Sequence, residues 1–280
     1  MKKIILLLFV AIFVVACSSV MLTGRRQLNL VPESEVNQMS FASYKQLIDS
    51  VPLSTDKTNT ALVKKVGSKI AAAVETYMKQ NGYESQIANF AWEYNLVKDA
   101  QVNAFCMPGG KVVVYDGILP ITQNETGLAV VLGHEIAHAI AKHSNERLSQ
   151  QMITQYGAAI LSAAISQKTA AIQQGIGTLY GLGSQVALLK YSRTQESEAD
   201  KLGLIFMAMA GYDPNQALAF WQRMADQSSS KPLELLSTHP SDERRIADIQ
   251  KELPEALKYY TPPVSTTTKA SATKASTTKK

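Results

Sequence analysis

The sequence predicts an α+β domain, mainly helical, with a small antiparallel sheet. Three observations carry this expectation. Apolar residues recur at helical spacing over 33–50, 59–79, 127–141 and 192–210, and a single window, 89–119, switches to alternating and β-branched segments. A chain of 280 residues with 46% hydrophobic content can also bury one sizeable core.

The chain opens with Lys2 and Lys3, an apolar run over 4–15 and the tetrapeptide Val14-Val15-Ala16-Cys17. A basic start and a strongly apolar core of about a dozen residues mark 1–16 as a secretory signal peptide. The competing reading, an uncleaved anchor, meets a core short of the ~20 residues that span a bilayer. The residues up to Cys17 resemble a bacterial lipobox. This makes Cys17 the lipid-modified first residue of the mature chain, and 17–30 a lipidated N-terminus and linker. Several acyl chains, at about 0.8 kcal/mol per buried methylene, would fix the protein to a membrane. Ser18, not Asp, follows the cysteine. In a two-membrane cell envelope that pattern resembles lipoproteins of the outer membrane, facing the periplasm.

Helices are expected at 33–50 and 59–79, the second closed by Asn81-Gly82, followed by strands at 90–97, 102–106 and 111–115. Pro108-Gly109-Gly110 supplies the turn between the last two strands. Thr122 and Glu125 have the spacing of a capping box for the helix at 127–141. Residues 152–189 are rich in Ala, Gly, Gln and Ser and uncharged from 169 to 189, but the glutamines and glycines make them too polar for a membrane span. They read as short helices with flexible joints over a cleft. Helices resume at 192–210, ended by Gly211, then from Asp213-Pro214 to Ala225, and at 241–252. The folded domain is thus expected over 31–256. The remainder, 257–280, is dominated by Thr, Ser and Lys and reads as a disordered tail.

Charge excludes one class of partner. Six of the 28 basic residues, Lys2 and Lys3 in the signal and Lys269, Lys274, Lys279 and Lys280 beyond Thr261, lie outside the folded part, leaving 22 against 23 acidic ones, so it lacks the basic excess that nucleic acid demands. With Cys17 lipidated, Cys106 is the one remaining thiol and reads as a small buried hydrophobe.

Residues 134–138 read His-Glu-Ile-Ala-His within an apolar helix. Four residues advance about 400° on a helix, so His134 and His138 share a face and can offer two imidazole nitrogens to one zinc ion. Glu135, beside them, can take a proton from water on such an ion. So short a pattern also occurs by chance on ordinary helices, and its surroundings decide. Burying a carboxylate and two imidazoles among Leu128, Val131, Leu132, Ile136 and Ile140 costs several kcal/mol without a partner, and a metal supplies one. A catalytic zinc takes three protein ligands. His143 would project about 140° from His138 on a continuous helix and reads as structural. Glu196 and Asp200 share a helical face at i and i+4: the first can bind the metal, and the second can accept a hydrogen bond from the far nitrogen of a ligating histidine. Spacing alone leaves Glu198 open as the ligand.

Together, Asn103-Ala104-Phe105 with Pro108-Gly109-Gly110, the motif at 134–138, the segment from Ser192-Arg193 to Ala199-Asp200, and Thr238-His239-Pro240 followed by Arg245-Ile246 resemble the zinc endopeptidases related to HtpX and the CAAX prenyl proteases. The resemblance covers 25–255 and is nearest to the lipoprotein-type members with a soluble domain. It implies a gluzincin-like domain and one Zn²⁺ per chain, with Glu196 as third ligand and Asp200 as the aspartate that follows it. Integral members carry transmembrane helices, which this chain replaces with its lipid anchor.

The reading that follows is peptide-bond hydrolysis by a metal-activated water with Glu135 as general base. Strand 111–115 would hold an extended substrate by β-addition. Unfolded or misassembled envelope proteins are the substrates that the resemblance implies, with envelope assembly factors as a further partner class. His239 is open between an oxyanion donor, a group that approaches zinc and keeps the enzyme latent, and a plain loop residue. Arg193 and Arg245 read as ion-pair or packing residues. The rival is a membrane-tethered chaperone or assembly factor with a latent metal site.

Overall fold

A computed structural model describes residues 17–160, 191–228, 233–239 and 244–262. The segments expected as signal peptide, as jointed short helices beyond 160, and as tail beyond 262 lie outside the described residues. What is described is an α+β domain, mainly helical, as the sequence predicts. Its elements are β1 (Cys17–Ser19), β2 (Arg26–Leu28), α1 (Glu33–Ser50), α2 (Lys57–Gln80), α3 (Glu84–Ile87), β3 (Glu93–Val97), β4 (Ala104–Met107), β5 (Lys111–Tyr115), α4 (Leu119–Thr122), α5 (Glu125–Ile140), α6 (His143–Ile160), α7 (Arg193–Met209), α8 (Gln216–Ser228), α9 (Glu234–Thr238) and α10 (Arg245–Ala256). Among the described residues no helix is long and apolar enough to cross a membrane.

Helix α5 is the axis of the core. Every residue from Gly127 to Ile140 is buried, because apolar side chains occupy nearly its whole circumference and α2, β4, α7 and α8 all pack on it. Its start differs from the expected capping box. The N-cap is Asn124, whose side chain accepts from the Gly127 amide at 2.9 Å, while the Thr122 hydroxyl donates back to Leu119 at the end of α4. Both residue types cap helices; the turn of α4 puts Asn124, in extended conformation, at the boundary. Ser192 caps α7 with a capping box completed by Gln195.

Helices α5 and α7 meet backbone to backbone. A Cβ on Gly133 would lie 2.8 Å from the Gly203 carbonyl oxygen, and one on Gly203 would lie 2.8 Å from the His134 nitrogen. Only glycine allows that approach, and it lays the first turn of α7 beside the histidine face of α5.

The three-stranded sheet has the order β3-β5-β4, with β4 and β5 antiparallel and β3 and β5 parallel. It is therefore mixed rather than wholly antiparallel. The turn at Pro108–Gly110, with Gly109 and Gly110 at φ of +81° and +88°, forces β4 against β5. Residues 98–103 easily reach the roughly 10 Å to the far edge of a three-stranded sheet, which leaves the middle position to β5. Strand 111–115 is thus paired on both sides, and β-addition there is ruled out. Its alternating residues fall into two cores: Val112 and Val114 face α2 and α5, and Val113 faces α1 and α6.

Residues 17–28, expected as linker, form a two-stranded hairpin with Cys17 opposite Leu28, and its loop buries Val20 and Met21 in the main core. Lys142, at φ +59°, breaks the chain between α5 and α6. Helix α8 starts at Gln216 after a turn rather than at Pro214, and α10 starts at Arg245 and runs through Pro254 to Ala256.

Gly203→Ala forces the α5/α7 contact apart and should cost ~1–3 kcal/mol of stability, the usual range for overpacking. Urea unfolding measures it; a wild-type midpoint would show that the two helices can slide apart without cost.

Candidate metal centre

His134 and His138 leave the same face of α5, Glu196 enters from the first turn of α7, and His239 from the residue that ends α9. One donor atom from each lies within 4.8 Å of all the others, and all four residues are buried. His134 Nε2 is 3.1 Å from His138 Nε2 and 3.3 Å from His239 Nδ1. Glu196 Oε1 is 3.0 Å from His239 Nδ1 and 3.5 Å from His138 Nε2, and its Oε2 is 3.6 Å from His134 Nε2. Tetrahedral zinc with bonds of ~2.0–2.1 Å sets its ligands roughly 3.3 Å apart, so these separations fit one ion. The chemistry fits as well: three imidazole nitrogens crowd one carboxylate, whose Oε2 makes no hydrogen bond and has Arg245 Nη1 at 3.4 Å.

The protonation states of His138 and Glu196 suit a cation. Burial holds the His138 imidazole well below the usual histidine range, keeping it neutral. Burial alone would raise Glu196, but His239 and the contact with His138 outweigh it and keep the carboxylate ionised. Neutral imidazole and ionised carboxylate are the forms that bind metal.

Glu135 lies on the neighbouring face, its Oε2 3.7 Å from His239 Nε2 and its Oε1 without a partner. Burial raises its carboxyl above the ordinary range, against the pull of His239 and His134. His239 is itself raised: Glu135 and Glu196 outweigh the lowering effect of its burial. A cleft of about 190 Å³ lined by Glu196, Asp200 and Arg245 opens beside the cluster, between α7 and α10.

Behind His134, Nδ1 sits 2.9 Å from Asp200 Oδ1. Arg245 grips that carboxylate with two nitrogens, at 2.7 and 2.9 Å, and stacks on Trp221 with its guanidinium 3.4 Å from the ring centre. Burial would raise Asp200; Arg245 and His134 hold it below the ordinary range. Glu198 is two positions past Glu196, some 200° round the helix, so it points away from the cluster and meets His143 Nε2 at 3.0 Å instead. His143 Nδ1 in turn is 2.9 Å from His138 Nδ1. The break at Lys142 therefore turns His143 back toward His138 without bringing it into the donor cluster. The sequence reading gave Asp200 as the acceptor behind a histidine and Arg245 as an ion-pair residue, but it missed the contacts of His143 and Glu198 behind His138, and also Arg25, which joins Glu198 from the hairpin at 2.7 Å. Cys106 is buried, as expected.

Residues 64–253 match the profile of peptidase family M48. The chain belongs to this family. Among curated relatives, the mitochondrial metalloendopeptidase OMA1 of Schizosaccharomyces pombe is 35% identical over 240 residues, covering 84% of this chain and 66% of the relative. OMA1 of Saccharomyces cerevisiae is 37% identical over 184 residues, covering 63% and 51%. The beta-barrel assembly-enhancing protease of Escherichia coli K12 is 28% identical over 219 residues, covering 75% and 42%. The chain spans less than two thirds of the length of these relatives. Membership in M48 makes it a metallopeptidase, and the buried His/Glu cluster lies inside the matched region.

Equilibrium dialysis should find one zinc per chain. Glu196→Gln should weaken it by more than the ~10–100-fold typical of losing an outer partner of a metal ligand. Zinc bound equally well by this variant would place the ion elsewhere.

Proposed function

We propose that this M48 chain is a zinc endopeptidase that cleaves unfolded or misassembled cell-envelope proteins while tethered to a membrane through Cys17. One observation carries the catalytic part: His134, His138 and Glu196 turn donor atoms toward one point beside a buried carboxylate, Glu135, that has an unpartnered oxygen. Zinc bound there would supply a Lewis acid that polarises the scissile carbonyl and acidifies water. Glu135, raised by burial, is suited to accept a proton from the attacking water and return it to the departing amine. Asp200, clamped by Arg245, holds the His134 ring with its Nε2 lone pair free for the metal.

Of the three roles open to His239, proximity favours approach to the metal. Its Nδ1 touches Glu196 and faces His134, so it would fill the fourth position that water needs. An enzyme in that state is latent, and its activity requires His239 to withdraw. The extended substrate would pair with a sheet edge, and β4 (Ala104–Met107) is the edge that packs on α5.

Support for the envelope comes from the lipobox-like residues at Cys17 and from the bacterial relatives, whose name couples protease to β-barrel assembly. The related OMA1 proteins are mitochondrial by name, so substrate class rests on the bacterial side of the comparison. The outer membrane, facing the periplasm, is the proposed site of attachment.

Glu135→Gln should lower casein cleavage by ~10²–10⁴-fold with zinc content unchanged, the range set by loss of a general base. Zinc-loaded wild-type protein that suppresses aggregation yet cleaves nothing, with or without His239→Ala, would favour the chaperone reading. Cys17→Ser should release the protein from the membrane fraction; persistent attachment would remove the lipid anchor from the account.

A further inference from the structure

The two histidines of the proposed metal site are supported differently. His134 has a carboxylate at its far nitrogen, whereas His138 has another histidine. We propose that His143, Glu198 and Arg25 are positioning residues for His138, so that the N-terminal hairpin is a working part of the metal site. This rests on the reading that His134, His138 and Glu196 hold zinc.

The proton inventory fixes the direction of the relay. For His138 to offer a lone pair at Nε2, which faces the cluster, its one ring proton must sit on Nδ1. That proton is donated to His143 Nδ1 at 2.9 Å, so the proton of neutral His143 sits on Nε2, where it is donated to Glu198 Oε2 at 3.0 Å. Glu198 is an acceptor only, and it terminates the chain. It also accepts from the Thr23 hydroxyl and from Arg25 Nε, at 2.7 Å, both on the loop of the β1–β2 hairpin. The reverse tautomers leave His138 with an N–H aimed at Glu196 and the other donors, which metal cannot use. His143 is fully buried, so no water takes over if Glu198 is lost.

Arg25 carries a second load. Its Nη1 and Nη2 bind Glu146 at 2.7 and 2.9 Å, and Glu146 also accepts from Gln195 Nε2 at 2.7 Å. Gln195 is the capping residue that immediately precedes Glu196. One guanidinium from the hairpin therefore braces the partner of one proposed ligand and the turn that carries another. Without it, two buried carboxylates on α6 and α7 would face each other without a shared cation.

The test compares zinc dissociation constants, measured by competition with a chromophoric chelator, and the visible spectrum of the cobalt-substituted full chain. Glu198→Gln and His143→Ala should each weaken zinc ~10–100-fold and alter the cobalt bands, the effect known for outer partners of metal-bound histidine. Arg25→Ala should act in the same direction. His143→Asn, which can accept and donate once each, should recover part of the affinity lost in His143→Ala. If His143→Ala does not fold, the isosteric Glu198→Gln decides. Wild-type zinc affinity and cobalt spectrum in both Glu198→Gln and Arg25→Ala, alongside lost zinc in Glu196→Gln, would overturn the relay while leaving the ligand set intact. Failure of wild type to bind zinc would instead sink the ligand set.

Discussion

The crossing of α5 and α7 at Gly133 and Gly203 governs the candidate site, because it sets how far the carboxylate of Glu196 stands from the imidazoles of His134 and His138. With side chains at those two positions the helices would stand farther apart, and the donors could no longer converge. The same crossing buries ionisable groups in an interior built from leucine, valine and isoleucine. Burial of that kind is costly unless each group finds a counterpart, and the arrangement of partners around the cluster follows from the need.

Those partners form two arms of different character. The His134 arm is short and stiff: Asp200 sits against the ring, Arg245 holds Asp200 with a two-point grip, and Trp221 stacks on the guanidinium. The His138 arm is longer and passes through a second imidazole before reaching a carboxylate. Glu135 belongs to neither arm. One of its oxygens has no hydrogen-bond partner, and burial raises its carboxyl against the pull of His239 and His134.

How much of this the sequence disclosed depended on whether the signal was local. The pairing of His134 with His138 follows from helical spacing within five residues, and the helices at 33–50 and 192–210 follow from periodicity and capping. The choice between Glu196 and Glu198 did not follow, since the two point to opposite sides of α7 and only packing says which side is inward. A signal was available in Gly203, which lies seven residues, about two turns, beyond Glu196 and on nearly the same face. The strand order was hidden for a related reason: alternation shows which side of a strand is buried but not which strand lies beside it. The turn at Lys142 carries no residue that favours a left-handed backbone, so His143 was counted as facing away. The role of Arg25 rests on a contact made across most of the chain, beyond the reach of any motif.

That contact has a consequence for how the protein comes into being. Arg25 and Glu198 are separated by 173 positions, so this contact waits until α7 has been synthesised and has docked. Closure of the hairpin onto Glu198 is thus a long-range event rather than a local one. A nascent chain stopped before α7 would carry both histidines but lack Glu198 behind one of them. The charged partner at the far end of the His138 arm is thus set by topology rather than by local sequence.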